Sequence, residues 1–162
     1  MGSNSYAEPW ECDTLVIPAG LQDWGDSAFA NTKFTTVEVE EGIEKLAFNG
    51  LAGIGSLTTL TLPTTLKVID GHALSADREL TQVELPDALE FIGPSAFSQV
   101  PLTSVQIPEA VSFIGGNAFA GKIYNSEIKG YVNVGPESLR LNGNLKDVGW
   151  AISRPDAEIS AV

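Results

Sequence analysis

His72 is the one histidine in 162 residues, and Cys12 the one cysteine. Paired with a serine and a carboxylate, an imidazole can run acyl transfer, and a thiolate can act as a nucleophile or a metal ligand. A hydrolase on this chain would need His72 in a cleft with a polarised partner. No local motif ties a serine or the cysteine to it. The acidic run Glu38, Glu40, Glu41, Glu44 offers oxygen ligands, but lacks the Asp/Asn/Gly spacing of a calcium loop. Asp23 and Asp26 flank Trp24 and Gly25 without a metal-binding spacing. Both groups read as solvated acidic surface. No glycine-rich phosphate loop follows a strand. Nothing in the sequence asks for a metal or cofactor.

What these residues share is a period. Anchoring on Pro18, Glu40, Pro63, Pro86 and Pro108 gives intervals of 22, 23, 23 and 22 residues. Nine positions past each anchor stand Ser27, Asn49, His72, Ser95 and Asn117. Small polar residues suit a turn, because their side chains bond nearby backbone; His72 is one more member of that column. Cys12 falls six before the first anchor, in line with Phe34, Leu57, Leu80 and Leu102, so it is expected to be buried and inert.

The other columns are apolar. Leu15, Val37, Leu60, Val83 and Val105 stand three before the anchor, and Ile17, Val39, Leu62, Leu85 and Ile107 one before. That is period two, so each copy is expected to begin with a short strand that ends at the proline. Leu21, Ile43, Leu66, Leu89 and Val111 follow at plus three; Trp24, Leu46, Ile69, Ile92 and Ile114 at plus six. The next column, Gly25, Ala47, Asp70, Gly93 and Gly115, reads as a backbone turn. Ala28, Gly50, Ala73, Ala96 and Ala118 then allow close coil-to-coil approach, ahead of Phe29, Leu51, Leu74, Phe97 and Phe119. One copy cannot bury these residues alone. Stacked copies can, as ladders of like side chains.

The pattern LTSVQIPEAVSFIGGNAF, Leu102 to Phe119, resembles the BspA-like, Treponema-type leucine-rich repeats. The resemblance covers residues 12–121. It implies a mainly β leucine-rich repeat solenoid of five repeats with short parallel strands and few or no long helices. It also implies a non-enzymatic protein-binding or adhesion module of a bacterial cell surface or secreted protein. Glu40, Ala47 and Leu51 depart from the consensus in the second copy, and the cysteine common after the Ala-Phe pair is missing. Residues 1–11 read as an N-terminal segment in which Trp10 shields the first coil. Residues 122–162 leave the register and read as a C-terminal cap or fold-back strands. An intracellular interaction scaffold is the rival reading.

Bulk properties narrow the partners. Nine basic against 21 acidic residues give a net charge of −12, which repels nucleic acid and anionic membranes. No apolar run reaches the roughly 18 residues of a membrane span. The opening MGSNSYAEP shows no basic-then-apolar leader. Met-Gly-Ser is typical of an expression tag, so a leader or neighbouring domains upstream stay open.

Two surfaces are candidates for a protein partner. Between the inward strand residues lie outward ones: Thr36 and Glu38, Thr59 and Thr61, Gln82 and Glu84, Ser104 and Gln106. Five past the anchor, Val68, Phe91 and Phe113 should align as an outward apolar stripe. Such a stripe marks a contact site or a homo-oligomer seam, unless the tail covers it with Trp150 and Ile152.

Overall fold

The computed structural model describes residues 13–145, 147–149, 153 and 155–161. The anchor column holds: in five successive coils the residue three past the anchor donates its N–H to the anchor's carbonyl, from Leu21 to Pro18 through Val111 to Pro108. This tight turn swings each coil from one sheet to the next.

The first coil carries β1 (Thr14–Ile17), the second β2 (Thr36–Val39) and β3 (Lys45–Leu46), and the third β4 (Thr59–Thr61) and β5 (Val68–Ile69). The fourth contributes β6 (Phe91–Ile92), and the fifth β7 (Ser104–Gln106) and β8 (Phe113–Ile114). Then come β9 (Gly121–Asn125), β10 (Gly130–Val134), β11 (Ser138–Leu141), β12 (Asp147–Val148) and β13 (Glu158–Ala161). The solenoid is all strand and turn among the described residues, and none of them forms a helix long and apolar enough to cross a membrane.

Strands from successive coils pair in parallel, like on like: Val37 beside Leu15 and Leu60, Ile69 beside Leu46 and Ile92. The second sheet runs unbroken through five strands, β3-β5-β6-β8-β12. A third ladder ties the far side, with Leu51 N–H on Ala73 O, Leu74 on Ala96 O and Phe97 on Ala118 O. The interior is the apolar columns. Ile43, Leu66, Leu89 and Val111 are fully buried, as are Leu46, Ile69, Ile92 and Ile114. Each such side chain contributes roughly 1.5–3 kcal/mol of transfer free energy. Phe97 and Phe119 stack at 5.1 Å between centroids, continuing the column from Leu74.

The turn column sits two residues later than the glycines suggest. Ser27, Asn49, His72, Ser95 and Asn117 all have φ between 55° and 61°, so the polar column is the left-handed one. Of the column Gly25, Ala47, Asp70, Gly93, Gly115, only Gly25 has a positive φ. Gly93 and Gly115 answer to space instead: a Cβ on Gly93 would lie 2.5 Å from the backbone nitrogen of Gly71, and one on Gly115 would fall on Pro94.

Register past residue 121 has a physical interruption. β9 and β10 form an antiparallel hairpin with Tyr131 opposite Tyr124. Beyond it β11 pairs in parallel with β7 and β12 with β8, placing Leu139 beside Val105 and Val148 beside Ile114. Asn142 takes the anchor place. Buried, it donates from Nδ2 to the carbonyls of Pro108 and Val111, and its Oδ1 accepts the N–H of Asn144. β13 pairs with β11 and starts a further turn. Trp10, Cys12, Trp150 and Ile152 lie outside the described residues.

One expected strand is missing. Residues 81–85 form no strand, so the first sheet divides into β1-β2-β4 and β7-β11-β13. Thr81, Val83 and Leu85 alternate with polar residues as regularly as the neighbouring copies do. The second sheet and the buried Leu57, Leu80, Leu66 and Leu89 already hold these coils together. Backbone groups that reach water can forgo a ladder partner.

Candidate binding surface

The outward residues of the first sheet form one face. Glu38, Thr59, Thr61, Gln82, Glu84, Ser104 and Gln106 are exposed and Thr36 is half-buried. Thr36 stands beside Thr59 and Glu38 beside Thr61. Past the break, Ser104 and Gln106 are extended by Ser138 and Arg140, a continuation hidden by the 34-residue step from Pro108 to Asn142.

At the break the face opens into a groove of about 470 Å³, lined by Thr59, Thr61, Gln82, Glu84 and Ser104 among others. Leu60, Leu62 and Val83 add apolar carbons to its lining, and Leu85 follows Glu84 at its edge. Leu60, Leu62, Val83 and Leu85 are only partly buried, whereas Val37, Val39, Val105 and Ile107 in the same columns are buried. The sole charge in its lining is Glu84. The groove is open and shallow, a shape that suits an elongated partner.

The second sheet presents Lys45, Val68, Phe91 and Phe113 in register. Val68, Phe91 and Phe113 are half-buried, and the two phenylalanine rings stack 4.7 Å apart at 5°. Asp147 pairs with Phe113 at the end of the row.

Of the described residues that suggested chemistry, His72, Glu40, Glu41 and Glu44 bond one coil to the next. The His72 N–H donates to Pro94 O, and the exposed ring meets Phe48 edge-on at 5.6 Å. Among the described residues none forms a hydrogen bond or ion pair with its imidazole. Three carboxylates of the acidic run bond adjacent coils. Glu40 accepts from Ala19 N–H, Glu41 from the N–H and hydroxyl of Thr64, and Glu44 pairs with Lys67 at 3.0 Å. The Thr64 bonds hold the Glu41 carboxyl below the usual range. Lys45 meets Asp70 at 2.8 Å, which raises the lysine; Asp23 and Asp26 add to the same effect. Among the described residues no cluster of His, Cys, Asp or Glu could hold a metal ion.

Two features escape the column reading. Asp77 is fully buried, fourteen past its anchor, where neighbouring copies hold Ile54 and Val100. Its Oδ1 accepts the Ile54 N–H at 2.8 Å, and burial pushes its carboxyl up to about 8. A carboxylate in an apolar column was the available signal. The hairpin is the other: Tyr124 and Tyr131 are 55% and 70% exposed and meet edge-on at 5.4 Å, beside exposed Ile128 and Val132.

A sequence profile described as the BspA type leucine-rich repeat region matches residues 1–125 in six copies. Among solved structures, a leucine-rich repeat protein from Bacteroides ovatus superposes with a TM-score of 0.65 at 25% identity over 85% of this chain and 33% of that one. The leucine-rich repeat protein of T. pallidum gives 0.63 at 20% identity, over 91% of this chain and 72% of its own. The pneumococcal vaccine antigen PcpA gives 0.59 at 18%, over 93% and 41%. The chain thus spans a third of the Bacteroides protein's length. No curated protein matches it.

Proposed function

The chain belongs to the BspA-type leucine-rich repeat family, and from that premise we propose that it is a non-enzymatic recognition module. It binds a protein partner through the outward face of its first sheet, in adhesion or recognition at a bacterial cell surface or after secretion. Repeat solenoids present broad faces built from equivalent positions of successive coils.

The observation that carries this reading is the groove at Thr59, Thr61, Gln82, Glu84 and Ser104. Polar side chains surround exposed apolar carbons there, the composition of a recognition patch. The net charge of −12 favours a partner whose contact surface is neutral or basic. Likeness to a vaccine antigen supports the surface setting.

The test is capture of soluble and cell-surface proteins on the intact chain, repeated with Gln82→Lys and Glu84→Lys together. Both residues are exposed, so the fold should survive. Binding should weaken by about tenfold or more, since like charge set against a basic partner is costly. Undiminished capture would move the contact off this sheet.

A further inference from the structure

Resting on that reading, we propose that the break in the first sheet is an acceptor for an extended segment of a partner protein. The segment is a strand with apolar residues at alternate positions and Lys or Arg among the outward ones, held by backbone pairing along the free edge of β4.

Three observations meet here. β4 pairs with β2 on one side only, and β7 with β11 on one side only. Among the described residues, no backbone N–H or carbonyl from Gln82 to Leu85 is hydrogen-bonded; the nearest bond is Thr103 N–H on Thr81 O. Such unpaired edges are templates for another strand. Apart from the β9–β10 hairpin, the other sheet edges among the described residues belong to the first or last strands of the stack, but this one lies in its middle.

The second observation is apolar. Leu60, Leu62, Val83 and Leu85 are partly exposed beside the lapse, whereas Val37, Val39, Val105 and Ile107 in the paired coils on either side are buried. A guest strand alternates its side chains, so every second residue can reach these carbons. Backbone pairing and apolar burial are then available to one occupant at once.

Charge selects the occupant. The groove is lined by threonines, Gln82, Ser104 and apolar residues, with Glu84 its only charge, and exposed Glu38 stands beside Thr61. No Lys or Arg lines it. A second copy of this chain, at net −12, meets that rim with charge of the same sign. A basic segment is attracted.

The experiment pans a displayed library of random peptides of about twelve residues, enough to span the groove at about 3.3 Å per residue, against the intact chain. Enriched peptides are synthesised with and without N-methyl groups on alternate backbone nitrogens, and amide exchange of the protein is followed. The expected result is alternating, basic peptides that slow exchange at Gln82–Leu85 by about tenfold or more and lose about tenfold or more in affinity on N-methylation, since each methyl removes a backbone hydrogen bond. No enrichment, or binding without slowed exchange at those amides, overturns the proposal. Peptides that fail on the Gln82→Lys/Glu84→Lys protein yet tolerate N-methylation leave the sheet face as the binding surface and remove strand addition. Indifference to both changes removes both. Self-association that protects the same amides assigns the edge to a second copy and also overturns it.

Discussion

Asp77 and Ile54 sit one coil apart, 23 residues distant in sequence, and the buried carboxyl of the first accepts the backbone N–H of the second at 2.8 Å. Oδ2 of Asp77 has no hydrogen-bond partner. Desolvation is the largest influence on this group and raises its pKa to about 8, against the lowering effect of the Ile54 and Gly53 N–H groups.

The sign of the pH dependence follows. An unfolded Asp titrates near 3.9, so between about pH 4 and pH 8 the native state holds a proton that the unfolded state has lost. Stability contributed by the protonated form is complete below about pH 4 and lost as pH rises towards 8. Its ceiling is of order 5 kcal/mol. Asp77→Asn keeps the Oδ1 acceptor and cannot ionise. Urea midpoints at pH 5 and pH 8.5 should differ clearly for the wild type and much less for the variant. Equal slopes in the two proteins would contradict a protonated Asp77.

At the acid end the sign reverses. Thr64 lowers Glu41. For Asp70, burial raises the carboxyl, but the hydrogen bonds from Lys45 and the Gly71 N–H outweigh it, and the net shift is downward. Depressed carboxyls contribute stability above their unfolded pKa that is lost as pH falls. Lys45 is more than half exposed, so that pair is worth under about 1 kcal/mol. Thermal midpoints of Asp70→Asn should therefore drop slightly at pH 6 and match wild type at pH 2. A larger loss at pH 2 than at pH 6 would contradict the assignment.

Two phenylalanine stacks separate burial from stacking. Phe97 on Phe119 and Phe91 on Phe113 have similar geometry, 5.1 Å at 7° and 4.7 Å at 5°. Phe97 is fully buried and Phe91 half-buried. Phe97→Ala should cost about 3–5 kcal/mol. Phe91→Ala should cost about 1 kcal/mol, near the value of an aromatic pair beyond its area. Equal losses in chemical denaturation would mean the Phe91 stripe is covered as fully as the core.

Gly93 and Gly55 offer a matched pair in the backbone. A Cβ on Gly93 meets the Gly71 nitrogen at 2.5 Å, while one on Gly55 has nothing within 4 Å. Gly93→Ala should destabilise by about 1–3 kcal/mol through overpacking. Gly55→Ala should be neutral, or stabilise by up to about 1 kcal/mol through the unfolded chain. A neutral Gly93→Ala in urea unfolding would mean the coils can part there.

Much of this architecture was legible because a stacked coil repeats its burial in its spelling. The column of Ser27, Asn49, His72, Ser95 and Asn117 placed the histidine in a turn, and the structure adds the reason, a left-handed backbone at every member. Leu139 and Val148 rejoin the columns, but the β9–β10 insertion breaks the count that would reveal them. The lapse at 81–85 was not legible at all. TQVEL alternates like TTVEV and LTSVQI, and pairing there depends on how neighbouring coils stack, a tertiary matter that side-chain type does not encode.

That lapse makes a prediction in the free protein. In coil four, Gly93 N–H donates to Ile69 O at 2.8 Å and Phe97 N–H to Ala118 O at 2.7 Å, whereas the N–H groups of Gln82, Val83, Glu84 and Leu85 have no acceptor among the described residues. Amides opening only with the whole fold exchange far more slowly than unpaired ones. At neutral pH, exchange at Gln82–Leu85 should fall within about tenfold of an unstructured peptide, and Gly93 and Phe97 should be slower by about a thousandfold or more. Both groups belong to one coil, so sluggish folding or aggregation cannot mimic the contrast. Strong protection at Val83 and Leu85 would mean the first sheet closes in solution, leaving no free edge for a partner strand.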